Sequence, residues 1–149
     1  MTFYDAFEHR ARFFSLVDDV CRALGQPVPV MPDEPLDSPL TMGIEVDRTS
    51  FELSFLPEEG VELLLDCVIG PCPDDEEMLL ALLRSNVDLL RDEQGSFSLR
   101  QESNIVAFST SFSGTETDGG RLAEALQELS VQAKAWRDGL PMDANVAAH

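Results

Sequence analysis

The sequence predicts an α+β fold, a single domain in which helices pack on one twisted antiparallel sheet in the order α-β-β-β-α-β-β-α. Three observations lead there. Apolar residues recur at steps of three and four in three long stretches. In five shorter runs they alternate with polar residues. The runs come as three strands, a helix, then two strands, which suits antiparallel pairing rather than parallel βαβ units. With 149 residues, 44% of them hydrophobic, the chain can bury one core. We expect that domain to span 1–141 and the patternless 142–149 to be a frayed tail.

Residues 3–24 read as the first helix. Phe3, Phe7, Ala11, Phe14, Val17, Cys21 and Leu24 stack on one face, widened by Phe13, Leu16 and Val20. Thr2 is the expected cap, and Gly25 followed by Pro27 the stop. Five prolines between 27 and 39 exclude helix and central strand, so this segment is an extended connector. Leu40, Met42, Ile44 and Val46 alternate with polar neighbours and Gly43. Phe51, Leu53 and Phe55 follow, then Val61 to Ile69, giving a half-buried meander. Asp47-Arg48-Thr49-Ser50 and Pro57-Glu58-Glu59-Gly60 are its expected turns.

Gly70-Pro71-Cys72-Pro73 breaks the sheet. Asp74 is the expected cap of a helix to Arg91, with Asp75, Glu76 and Glu77 where the macrodipole favours negative charge. This helix is apolar on two sides: Leu79, Leu82, Asn86 and Leu89 form one stripe, and Leu80, Leu83, Val87 and Leu90 another. Two buried faces need two partners, the sheet and a second copy of the chain. Strands at 96–100 and 104–113 follow. A helix from Asp118 to Asp138 closes the pattern, with Leu122, Leu126, Leu129, Ala133 and Trp136 on one face.

Ten basic residues stand against 28 acidic ones, a formal charge of −18. Such a surface repels nucleic acid and anionic membranes. An acidic housekeeping or salt-adapted fold has the same composition. No run approaches the ~20 apolar residues of a membrane span. The acidic, aromatic start does not read as a secretion signal. Three cysteines without zinc spacing fit a reducing cytoplasm.

Catalysis finds little support. The two histidines, His9 and His149, form no recognisable triad, and His9 reads as a solvated side chain. The stretch Gly114 to Gly120 lacks a P-loop lysine and carries Glu116 and Asp118, so it reads as a capping loop. Cys67 reads as core and Cys72 as a loop thiol. The sequence assigns no catalytic residue, cofactor or metal site. Binding remains. Phe3, Phe7, Phe13 and Phe14 are many aromatics for one helix; Phe7 and Phe14 are expected in the core, Phe3 and Phe13 nearer its rim. The strand Leu40 to Val46 is a candidate edge that accepts an extended peptide.

These residues resemble a known family, the class I type III secretion chaperones related to the Tir chaperone. Besides element order, size and acidity, the matching stretches are Leu82-Leu83-Arg84-Ser85-Asn86, Gly95-Ser96-Phe97-Ser98-Leu99, Asn104-Ile105-Val106-Ala107-Phe108 and Ala133 to Leu140. The resemblance spans about residues 3 to 140. It implies a homodimer in the bacterial cytosol, without enzymatic activity, that holds the N-terminal segment of a secreted effector in extended form. Carried onto this chain, it places the dimer contact at Leu79, Leu82, Leu83, Asn86, Leu90 and Phe97. It places the effector surface on the first helix and the sheet, at Phe3, Phe13, Leu16, Met42 and Ile44. The competing expectations are an acidic adaptor or inhibitor of another protein, built as a nucleic-acid mimic, and a small hydrolase with a convergent carboxylate pocket.

Overall fold

The computed structural model describes residues 3–30, 33, 35, 38–56, 62–91, 94–100, 102–113 and 117–139. The expected cap Thr2, the 57–60 turn, the tail 142–149 and residues 114–116 of the 114–120 loop lie outside them. The elements are α1 (Phe3–Ala23), β1 (Leu40–Val46), β2 (Thr49–Phe55), β3 (Glu62–Pro71), α2 (Glu76–Arg91), β4 (Ser96–Arg100), β5 (Ile105–Ser113) and α3 (Gly119–Arg137). That is the predicted order.

The five strands form one antiparallel sheet in the order β1-β2-β3-β5-β4. β1 and β4 are therefore its edges. Register fixes the inner face: Ile44 faces Phe51, Phe51 faces Cys67, Cys67 faces Phe108 and Phe108 faces Phe97. All five side chains are buried. Thr41, Glu45 and Glu52 alternate to the exposed face.

α1 and α3 cover the inner face. The Phe13 ring stacks on Phe55 at 5.6 Å. Leu122, Leu126, Leu129, Ala133 and Trp136 of α3 are buried as predicted, and the Trp136 indole donates to Pro71 O at 3.1 Å. Asp118 caps α3 by accepting from Arg121 N–H at 2.8 Å. α2 turns Met78, Leu82, Ser85 and Leu89 inward, at steps of four, three and four.

Several local expectations are corrected. The cap of α2 is Asp75, whose side chain accepts from Glu77 N–H at 2.9 Å and whose carbonyl accepts from Leu79 N–H. The first turn contains only Asp47 and Arg48, because Thr49 and Ser50 pair with β1. The buried face of α1 is rotated from the predicted one. It runs through Arg10, Phe13, Leu16, Val17, Val20 and Cys21, while Phe7 and Ala11 are exposed. Phe14 is half-buried, with the Arg10 guanidinium 5.3 Å from its ring centre. His9 is half-buried rather than solvated, and its Nδ1 has no hydrogen-bond partner among the described residues.

The α1–α3 crossing depends on Gly119. A Cβ there would lie 2.4 Å from Asp19 Cβ and 3.2 Å from Val20 N. The second contact is backbone and cannot swing away. Gly119→Ala should therefore force the helices apart and cost about 1–3 kcal/mol, the usual range for overpacking, read as a lowered urea midpoint.

Candidate protein-binding surfaces

The outer stripe of α2 is the most apolar exposed feature among the described residues. Leu80, Leu83 and Val87 lie on one helical face at 47%, 60% and 56% exposure. Leu99 of β4 is 48% exposed. The four side chains therefore sit on two neighbouring elements. Water-facing leucines grouped in this way mark a surface made for another polypeptide.

Asn86 links α2 to the edge of the sheet. Its Oδ1 accepts from Phe97 N–H at 2.7 Å, and its Nδ2 donates to Phe97 O at 3.1 Å. The amide thus imitates a neighbouring strand and satisfies both outward backbone groups of Phe97. β4 cannot be extended through that residue while Asn86 holds it. The Phe97 ring points inward and meets Phe108 at 5.1 Å.

The expected dimer residues therefore divide. Leu83 is openly exposed. Leu79 and Leu82 are half-buried, and Leu82 packs against the core. Asn86 is engaged within the chain. Phe97 is buried within the single chain. The Leu90 side chain lies outside the described residues. Leu80 and Val87, part of the second sequence stripe, join Leu83 outside. Leu99, two residues beyond Phe97 on β4, is exposed where Phe97 is buried.

The expected effector residues lie inside the single chain where they are described. Phe13, Leu16, Met42 and Ile44 are all buried, at 1–7% exposure. Period-two alternation turns Met42 and Ile44 onto the helix-covered face, and the phase of α1 turns Phe13 and Leu16 onto the sheet. They hold the core and present no side chain at the surface. Phe3 lies in α1, with its side chain outside the described residues.

What β1 does expose is its backbone edge. In a two-residue hairpin the turn-flanking pair, Val46 and Thr49, is hydrogen-bonded. Thr41, Gly43 and Glu45 then direct N–H and C=O groups away from β2. The Gln26 side chain donates to Glu45 O from the connector side. Among the described residues, no backbone partner takes the outward groups of Thr41 or Gly43. A Cβ on Gly43 would meet nothing within 4 Å.

The thiols play no part in these surfaces. Burial pushes Cys67 up to about 12 from 9.0, only partly offset by Arg137. Burial, and next Asp18, also raise Cys21. For Cys67 the folded value lies above the unfolded one, so its contribution is fully present below the unfolded value. It is lost as pH rises from about 9 toward 12. Urea unfolding should show stability falling over that window, and Cys67→Val should flatten the fall.

The helices-on-sheet layout and the open α2 stripe define a small protein-binding α+β module. Residues 36–137 match the model of the Tir chaperone protein (CesT) family, and the chain belongs to that family. No curated protein sequence matches it at a significant level. Among solved structures it is similar to a chain of the HopA1–SchA chaperone–effector complex. The identity is 21%, covering 87% of this chain and 97% of the other, with a TM-score of 0.61. A chain of the ExsC–ExsE complex matches at 16% identity, 88% and 95% coverage and a TM-score of 0.64. A chain from the complex of the Yersinia pestis type III secretion chaperone SycH with a fragment of YscM2 matches at 16% identity, 81% and 96% coverage and a TM-score of 0.58. At these identities the likeness is one of fold.

Proposed function

We propose that this chain is a type III secretion chaperone that works as a homodimer in the bacterial cytoplasm and binds the N-terminal segment of an effector in extended form. Family membership supports the chaperone reading. The observation that carries the mechanism is the exposed stripe Leu80, Leu83, Val87 and Leu99. Two copies related by a twofold axis would lay these residues against each other and remove them from water. Asn86 steers that contact toward side chains, because it closes the β4 backbone at Phe97.

The client then pairs with β1 along Thr41 and Gly43, adding a strand to the edge that remains open. The protein acts by holding rather than by chemical conversion. Each square ångström of apolar surface buried contributes ~25 cal/mol before the ordering of the client is subtracted, so a tight complex needs a long wrapped segment. The −18 charge keeps the loaded pair soluble. No described helix is long and apolar enough to cross a membrane.

Copurification from a native lysate tests this reading. The protein identified should be a secreted effector held through its N-terminal segment, and the complex should survive high salt, because apolar burial and strand pairing are weakly screened. A partner that is a nucleic-acid-binding protein and leaves as salt rises would instead identify a nucleic-acid mimic.

A further inference from the structure

On this acidic chain, three of the ten basic residues converge on one cavity. It is about 750 Å³, opens to solvent and lies between the β1–β2 turn and the end of α3. Its walls carry Arg48, Lys134 and Arg137, with Asp47, Asp138 and Val131 beside them. We propose that this cavity docks an acidic segment of a protein partner, one with aspartate or glutamate next to an apolar residue.

Two features show that the cations are placed rather than merely numerous. Arg137 is fixed: its Nη1 donates to Ile69 O at 3.2 Å and its Nη2 to Thr49 Oγ1 at 3.2 Å. Its stem crosses the β3 bulge, where a Cβ on Gly70 would come within 2.9 Å of Arg137 Cγ. Two of five guanidinium N–H groups are thereby used, and the rest can meet a carboxylate in a set orientation. Arg48 stands in the left-handed region at φ 68°, after Asp47 at φ 47°. Such turns favour Asn-Gly. A bulky arginine held there is the kind of local strain that accompanies function.

The occupant follows from charge and size. Three cations and two carboxylates leave one positive charge, which suits carboxylates spaced along a chain better than a compact dianion. The volume falls in the ~300–1,000 Å³ range of sites for drug-sized ligands, large for a bare oxyanion. Val131, 63% exposed, gives an apolar neighbour a place to rest. The cavity shares no residue with the α2 stripe or with Thr41 and Gly43, so the proposal stands apart from the dimer and client reading.

Fluorescence anisotropy on the full chain tests it with a labelled, end-blocked pentapeptide, Glu-Leu-Asp-Glu-Leu. The peptide should bind, and its Gln-Leu-Asn-Gln-Leu analogue should bind at least about tenfold more weakly. Arg48→Asn combined with Lys134→Gln should weaken the acidic peptide by about tenfold or more. Asparagine tolerates the left-handed turn, so the fold is kept, and an unchanged thermal midpoint with unchanged dimer mass verifies that. Three results would overturn the proposal: no binding by the native chain, equal binding of the two peptides, or undiminished binding by the folded double variant. Displacement by inorganic phosphate at the peptide's own concentration would also overturn it, assigning the cavity to small anions.

Discussion

Leu83→Asp should turn the proposed dimer into folded monomers. The side chain is 60% exposed on the single chain and lies centrally between Leu80 and Val87 on the same face. An aspartate there is solvated in the monomer, so the fold loses nothing. In the proposed dimer the same carboxylate would be buried beside its symmetry mate, a like charge. Leaving a charge uncompensated in a buried contact costs about 3–5 kcal/mol, and a symmetric interface meets that cost twice. Each 1.4 kcal/mol is a factor of ten, so association should weaken by roughly four orders of magnitude or more. Sedimentation velocity at micromolar concentration should show one slow species with native circular dichroism. A variant that remains dimeric would move the interface elsewhere.

Phe13→Ala should be the most damaging single truncation in α1. Phe13 is 1% exposed and its ring stacks on Phe55. Removing it loses the buried ring and leaves a cavity between helix and sheet, at about 3–5 kcal/mol. A domain with 5–15 kcal/mol in total would lose a large share of its stability. Urea unfolding should show the loss directly. An exposed client-contacting phenylalanine at this position would leave stability nearly unchanged, so the measurement separates core from binding surface. Phe7→Ala provides the contrast: at 60% exposure it should shift the midpoint little.

The strand pattern was legible because register is written locally. Every inward residue of β1 and β2 is apolar, or is the small Thr49, and the alternation leaves one solution. Asp118 announced the start of α3 in the same way. The two stripes of α2 were also visible. Which stripe faces out depends on where the sheet ends, and that is a property of the tertiary structure. In α1 the difficulty was excess. Phe3, Phe7, Phe13, Phe14 and Leu16 surround more than half of the helix, so spacing alone permits two phases, and packing on Phe55 selects one. The burial of Phe13, Leu16, Met42 and Ile44 was hidden for a related reason: spacing marks apolar side chains without saying which of them the fold covers. The isolated Asn86 in a leucine stripe was the one signal of the β4 cap. The basic cavity had none, because Arg48 and Lys134 meet only through the fold.

The central claim is that the apolar stripe on α2 belongs to a twin of the same chain. Light-scattering mass across a micromolar concentration series tests it most directly. A value near twice 16.5 kDa, held on dilution, is the expected result. A mass of 16.5 kDa at every concentration, with the stripe still open to water, would contradict it.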